Sequence, residues 1–146
     1  MISKMNLEMS SEEKELLLKD LSARLPYNVV CDRLGSAYQL VDIDIKRGLV
    51  YLLRDESYVP YSIIRGDIVK PYLRPMSSMT EEEKVQLSQY ACIGEDLNGE
   101  FIDEVQRKDC AAYIDWLNKN HFDYRGLIDK GLALVAPEGM YNLNNK

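Results

Sequence analysis

The densest run of chemically capable side chains is His121-Phe122-Asp123-Tyr124-Arg125-Gly126-Leu127, which sets an imidazole, two aromatic rings, a carboxylate and a guanidinium within five residues. Tyrosine and arginine are the residue types that most often anchor protein–protein contacts. His121, Phe122, Tyr124 and Arg125 are therefore the candidate binding residues. A structural reading of the same segment competes and is favoured: Phe122 anchors the chain, Asp123 caps the following turn and Arg125 pairs with a nearby acid.

Catalytic constellations are harder to assemble. A cysteine nucleophile needs a base to generate its thiolate, and His121 is the sole histidine beside Cys31, Cys92 and Cys110. Cys110 lies on the predicted buried face of a helix, and free cysteine is among the most buried residue types. One histidine and three scattered cysteines do not make a zinc site, which takes four ligands with two usually close in sequence. The stretch Glu95-Asp96-Leu97-Asn98-Gly99-Glu100 lacks the alternating acidic spacing of a calcium loop and reads as a solvated turn. None of the eight glycines forms a phosphate-cradling or nucleophile-elbow motif. No catalytic, cofactor-binding or metal-binding residue is assigned, and the balance falls against an enzyme.

Composition bounds the partners. The 146 residues suffice for one domain with its own core, and 46% hydrophobic with 29% charged residues is ordinary for a folded chain. Ten tyrosines against two phenylalanines suit half-buried strands and contact surfaces alike. The net charge of −6 falls almost wholly on residues 76–146, which hold seven basic and thirteen acidic groups. Nucleic-acid binding needs clustered cations, and Arg65, Lys70 and Arg74 are a thin cluster. Three cysteines, odd in number and in no CxxC pattern, point to reduced thiols and a cytoplasmic location. The first ten residues carry no leader-like apolar run, and no stretch reaches membrane-span length.

The elements that must position these residues follow from spacing. Ser10-Ser11-Glu12-Glu13 is a capping box, and Leu17, Leu18, Leu21 and Leu25 form a helical stripe, which predicts a helix from Glu12 to Arg24 stopped by Pro26. Period-two alternation through Val41, Ile43 and Ile45, a turn at Gly48 and an apolar run over 49–53 predict a hairpin. Weaker strands are expected over 28–33 and 61–65, and a stiff connector between Pro71 and Pro75. Thr80-Glu81-Glu82-Glu83 opens a second helix to Tyr90, with Val85, Leu87 and Tyr90 facing inward. A third helix spans Asp109 to Asn118, a short helical turn Tyr124 to Lys130, and a last strand Leu132 to Val135. The expectation is an α+β fold: an N-terminal helix, a small strongly bent antiparallel sheet or SH3-like barrel, then a C-terminal helical region. The division is residues 1–75 and 76–146, or one continuous domain.

Two strings carry a resemblance. Lys70-Pro71-Tyr72-Leu73-Arg74-Pro75-Met76-Ser77-Ser78-Met79-Thr80-Glu81-Glu82-Glu83, and Ile114-Asp115-Trp116-Leu117-Asn118 with His121 to Ile128, resemble a family of small uncharacterised proteins from prophages and mobile elements of anaerobic gut bacteria. The likeness continues through Gly131 to Leu134 and Ala136 to Tyr141. It implies a bacterial, phage-related setting and transfers no catalytic residue. The functional expectation is a non-enzymatic protein-binding or accessory module. The alternatives are a small hydrolase-like enzyme using His121 with a cysteine or carboxylate, and a weak nucleic-acid-binding protein.

Overall fold

The computed structural model describes residues 9–90, 94–95, 101–102 and 110–141. The capping box at Ser10 forms as its spacing predicts: the Ser10 hydroxyl accepts from the Glu13 amide, and the Glu13 carboxylate accepts from the Ser10 amide. These contacts satisfy two of the donors that a helix start leaves open, and helix α1 runs Ser11–Arg24.

The chain then turns through a 3-10 segment at Pro26 into β1 (Val30–Arg33), β2 (Ser36–Asp44), β3 (Leu49–Arg54) and β4 (Ser57–Ser62). These four strands form an antiparallel meander. Two of its connections are two-residue turns with positive φ at both central positions, Leu34-Gly35 and Asp55-Glu56, the geometry whose twist matches the flanking strands. A register shift between Leu40 and Asp42 marks a bulge at Val41. It breaks the simple alternation expected there by placing Leu40 and Ile43 on the core side, and Ile45, just beyond the end of β2, is exposed.

The stretch between Pro71 and Pro75 is not merely a connector. Lys70–Leu73 forms β5, which pairs antiparallel with β1. The two-residue strands β6 (Gly94–Glu95) and β7 (Phe101–Ile102) pair with each other. The last strand, β8 (Leu134–Val135), joins β5 in parallel. Pro71 precedes the first β8 pairing at Tyr72, so its missing donor falls near the start of the strand, where proline is tolerated. The result is an α+β fold on an open, mixed six-stranded sheet ordered β4-β3-β2-β1-β5-β8. Of the two architectures that periodicity allowed, the sheet is the one formed; it does not close into a barrel. Its strands come from both sides of residue 75.

Helix α1 covers one face. Leu17, Leu18 and Leu21 pack with Val29, Cys31, Leu40, Val50, Leu52, Ile63 and Leu73, joined by Leu127, Leu132 and Ala133. Each such leucine contributes roughly 1.5–3 kcal/mol by leaving water. Helix α2 (Glu81–Ser88) starts at the Thr80 capping box, and Leu87 joins Leu117 and Phe122 in a second cluster. Val85, expected to face inward, is 65% exposed. Helix α3 spans Cys110–Lys119; its proposed cap, Asp109, and most of the Glu95–Glu100 loop lie outside the described residues. The segment 124–130 forms turns and no helix.

Gly48 closes the β2–β3 connection at φ 69°, and a β-carbon there would overlap the Ile64 side chain. Gly48→Ala therefore meets backbone strain and a steric clash together, and about 1–3 kcal/mol of stability should be lost. Urea unfolding would show this as a lower midpoint with an unchanged slope.

Candidate functional site: a buried ionic clasp and the surfaces around it

The segment singled out by its chemistry is built into the fold by the end of α3. His121 takes φ 63°, donating its amide to the Asn118 carbonyl while the Phe122 amide reaches the Leu117 carbonyl. This is a Schellman C-cap, with histidine where glycine is usual. The chain then runs beside β5: the Arg74 amide donates to the His121 carbonyl at 2.7 Å, and the Asp123 amide to the Arg74 carbonyl at 2.9 Å.

Side chains of the segment point inward. His121 is 2% exposed and Phe122 0%. The His121 ring stacks on Tyr141 with centroids 3.8 Å apart, and Phe122 stacks on Trp116 at 5.7 Å. The Arg74 guanidinium lies 4.1 Å over the Phe122 ring. Asp123 accepts from the Leu127 and Ile128 amides at 2.8 and 2.9 Å, capping the following turn. Tyr124 and Arg125 are half-buried: the Tyr124 hydroxyl donates to Asn118 Oδ1, and Arg125 Nη2 donates to the Tyr124 hydroxyl.

At the centre is an acid that the reading of the sequence did not single out. Asp20 and Arg24, one helical turn apart on α1, are both 0% exposed. Arg24 donates to both Asp20 oxygens, at 2.8 and 3.1 Å, and to the Phe122 carbonyl at 2.6 Å. Arg125 Nε donates to Asp20 Oδ1 at 3.1 Å. One carboxylate thus holds two guanidiniums, and both lie against the Tyr124 ring, at 5.4 and 4.9 Å. A signal existed in the sequence: Asp20 and Arg24 each follow a stripe leucine, Leu17 and Leu21, by three residues and so share its face.

Tyr141 closes the other side. Its hydroxyl accepts from the Val30 amide at 2.9 Å and donates to the Tyr72 carbonyl at 2.8 Å. The β1–β5 ladder pairs only Cys31 with Pro71 and Asp32 with Lys70, so the phenol continues the pairing where the backbone stops. Burial pushes the Tyr141 phenol well above its ordinary value.

The chemistry this arrangement supports is limited. Burial, then the Asp20 and Asp32 carboxylates, push the Cys31 thiol far above the range where a thiolate forms near neutrality. Cys92 and the Cys110 side chain lie outside the described residues. Among the described residues, no group of three His, Cys, Asp or Glu side chains could hold a metal ion, and no helix is long and apolar enough to cross a membrane. Of the basic run, Arg74 is committed to Glu83 at 2.8 Å. Burial raises the Glu83 pKa, but hydrogen bonds from Arg74 and Thr80 outweigh it and hold the group below the ordinary carboxylate value.

What remains accessible lies elsewhere. On the sheet face opposite α1, the cross-strand pairs Leu53–Tyr58 and Tyr51–Pro60 stand side by side, with Tyr58 64% and Leu53 36% exposed. Leu34, in the β1–β2 turn at the same end of the sheet, is 77% exposed with φ 54°. No known family, curated protein or solved structure matches the chain.

Asp20→Ala strands two guanidiniums in the interior and should cost about 3–5 kcal/mol, whereas Arg125→Ala, at the wetter edge, should cost about 1 kcal/mol. Denaturant unfolding of both variants measures the contrast; equal losses would contradict it. Tyr141→Phe keeps the ring on His121 but orphans a strand amide and a carbonyl, so about 1–3 kcal/mol should disappear. Calorimetry of that variant reads the effect directly.

Proposed function

We propose that the chain is a non-enzymatic protein-binding module that meets its partner through the end of the sheet where Leu34, Leu53, Tyr58 and Pro60 are displayed. The observation carrying this reading is Leu34. A leucine with positive φ costs on the order of 1–2 kcal/mol, and asparagine or glycine would remove most of that cost. At 77% exposure it gains almost no burial in return. An exposed apolar side chain kept at a strained turn, at the same end of the sheet as an exposed tyrosine, is what a contact surface requires and a free-standing fold does not.

The neighbouring edge supports side-chain recognition over strand addition. Ile63 donates to Gly48, so by antiparallel alternation Tyr58, Pro60 and Ser62 direct their backbone groups away from β3. Pro60 has no donor, and the Ser62 amide is already held by Asp67 at 2.7 Å. The edge is therefore blunted against another strand, while the tyrosine and leucine side chains stay available. In this reading His121 and Phe122 serve from within, and Tyr124 and Arg125 are the two members of their segment within a partner's reach. The resemblance to prophage and mobile-element proteins favours an accessory, phage-derived role in a bacterial cytoplasm.

The test uses wild-type, Leu34→Asn, Tyr58→Ser and Tyr124→Ala/Arg125→Ala baits in a bacterial lysate, with captured proteins quantified by mass spectrometry. Leu34→Asn should raise stability by about 1 kcal/mol. Along with Tyr58→Ser, it should deplete the partner by roughly tenfold or more, the scale of a lost hot spot. Identical capture by the wild-type, Leu34→Asn and Tyr58→Ser baits would sink this surface. Loss confined to the Tyr124/Arg125 bait would move it to the C-terminal segment.

A further inference from the structure

At the opposite end of the sheet, helix α1 and the two chain reversals beyond β2 and β4 enclose a groove of about 800 Å³. Its apolar parts are Leu18, Ile45 and Ile64, and its polar lining is Ser11, Lys14, Glu15, Lys19 and Ser22. Ile45 and Ile64 are 55% and 50% exposed. The Lys14 ammonium is fixed at the rim by a 2.9 Å bond to the Ile64 carbonyl. Lys46 and Arg65 follow the two isoleucines and are exposed. The lining therefore carries two lysines, Lys14 and Lys19, against one carboxylate, Glu15. Of the neighbouring acids, Glu13 is engaged in the capping box, Asp20 by Arg24, Asp44 by Arg47 at 3.7 Å and Asp67 by Arg33 at 3.8 Å. In a chain of net charge −6, this is a local reversal of sign.

The complementary surface is present on the same chain. Helix α2 exposes Glu81 and Glu82, four and three residues before Val85 and so on its face of the helix. Val85 is 65% exposed, and Met76, in the turn just before the helix, is 39% exposed. The third carboxylate, Glu83, is turned inward to Arg74, and Lys84 pairs loosely with Glu81 at 3.2 Å on an exposed surface. Helix α2 therefore offers one apolar side chain flanked by two carboxylates, and the groove offers an apolar floor flanked by lysines.

We infer that the groove between α1 and the ends of β2 and β4 receives helix α2 of a second copy of this chain, with Val85 against Leu18, Ile45 and Ile64 and with Glu81 and Glu82 beside Lys14 and Lys19. Groove and helix are different patches, so the contact is head-to-tail: each copy has one of each, and association continues into a ring or a short open chain. A contact of one exposed valine and two carboxylates is small and transient, so assembly is concentration-dependent and salt weakens it.

Sedimentation velocity of the full chain, from about 10 to about 500 µM at low and high salt, covers the range in which such an interface populates. Three samples decide the matter: wild type, a Lys14→Glu/Lys19→Glu variant and a Glu81→Lys/Glu82→Lys variant. Wild type should self-associate and fall apart in high salt. Each charge-reversed variant alone should remain monomeric, and their equimolar mixture should associate again, because the two unaltered surfaces then form the original contact and the two reversed ones complement each other. Should the lysine reversals lower the melting midpoint, Ile45→Glu, at a half-exposed rim position, takes their place and should also block assembly. A wild-type chain that stays monomeric throughout overturns the inference. So does assembly indifferent to both reversals, or a mixture that fails to re-associate. Tyr58→Ser should assemble like wild type, which keeps this result separate from the fate of the tyrosine surface.

Discussion

One carboxylate organises the interior of this protein. Asp20 is fully buried on α1 and accepts from both Arg24 and Arg125, and Arg24 reaches on to the Phe122 carbonyl. An ion pair of this kind adds little net stability over a well-packed apolar pair, because desolvating the charges offsets much of their attraction. Its effect is on geometry. The guanidiniums have few ways to satisfy their donors in the interior, and those ways fix where α1 meets the turn after α3. The Tyr124 ring against both cations, Phe122 under Arg74 and Asp123 capping the next turn all lie where that constraint puts the chain. The clasp also has a cost, since Arg24 Nη1 is buried with no hydrogen-bond partner among the described residues.

The consequence for function is a division of labour. Residues 121–127 hold the richest set of reactive groups, and the fold turns most of them inward to join helix, sheet and C-terminal segment. Tyr141 completes the arrangement by stacking on His121 and bridging β1 to β5. With the framework fixed from within, its two outer ends differ in character. One displays Leu53 and Tyr58 on an open sheet face with Leu34 in a turn at the same end; the other forms a groove lined by two lysines. Neither surface is needed to hold the core together, and each has features that a purely structural role leaves unexplained.

Much of the framework was legible in the residues. Ser10 and Thr80 announce α1 and α2 because a capping box is a local device, complete within four residues. The Gly48 hairpin was legible for the same reason, and the α+β class followed from the change of period. What escaped was non-local. Nothing near Pro71 shows that β5 slots between β1 and β8, since that pairing is made by chain 40 and 62 residues away. The bulge at Val41 put Leu40 and Ile43 together on the core side, because a single extra residue shifts the alternation, while Ile45 falls beyond the end of β2 and is exposed. Val85 was expected inside on helical spacing alone, but a helix of eight residues needs only one side to pack. The clasp was half visible: the i,i+4 spacing of Asp20 and Arg24 on the leucine stripe was there to read, whereas Arg125 lies 105 positions from its carboxylate.

Through the Asp20 clasp, α1 and residues 121–128 form a single cooperative unit. Native-state hydrogen exchange under conditions where closing outpaces exchange tests it directly. The amides of Leu21 and Arg24 on α1, and of Asp123, Leu127 and Ile128 in the segment, should share one opening free energy, equal to that of global unfolding. If Asp123, Leu127 and Ile128 exchange through a local opening several kcal/mol below that of α1, the clasp does not couple them and the account is wrong.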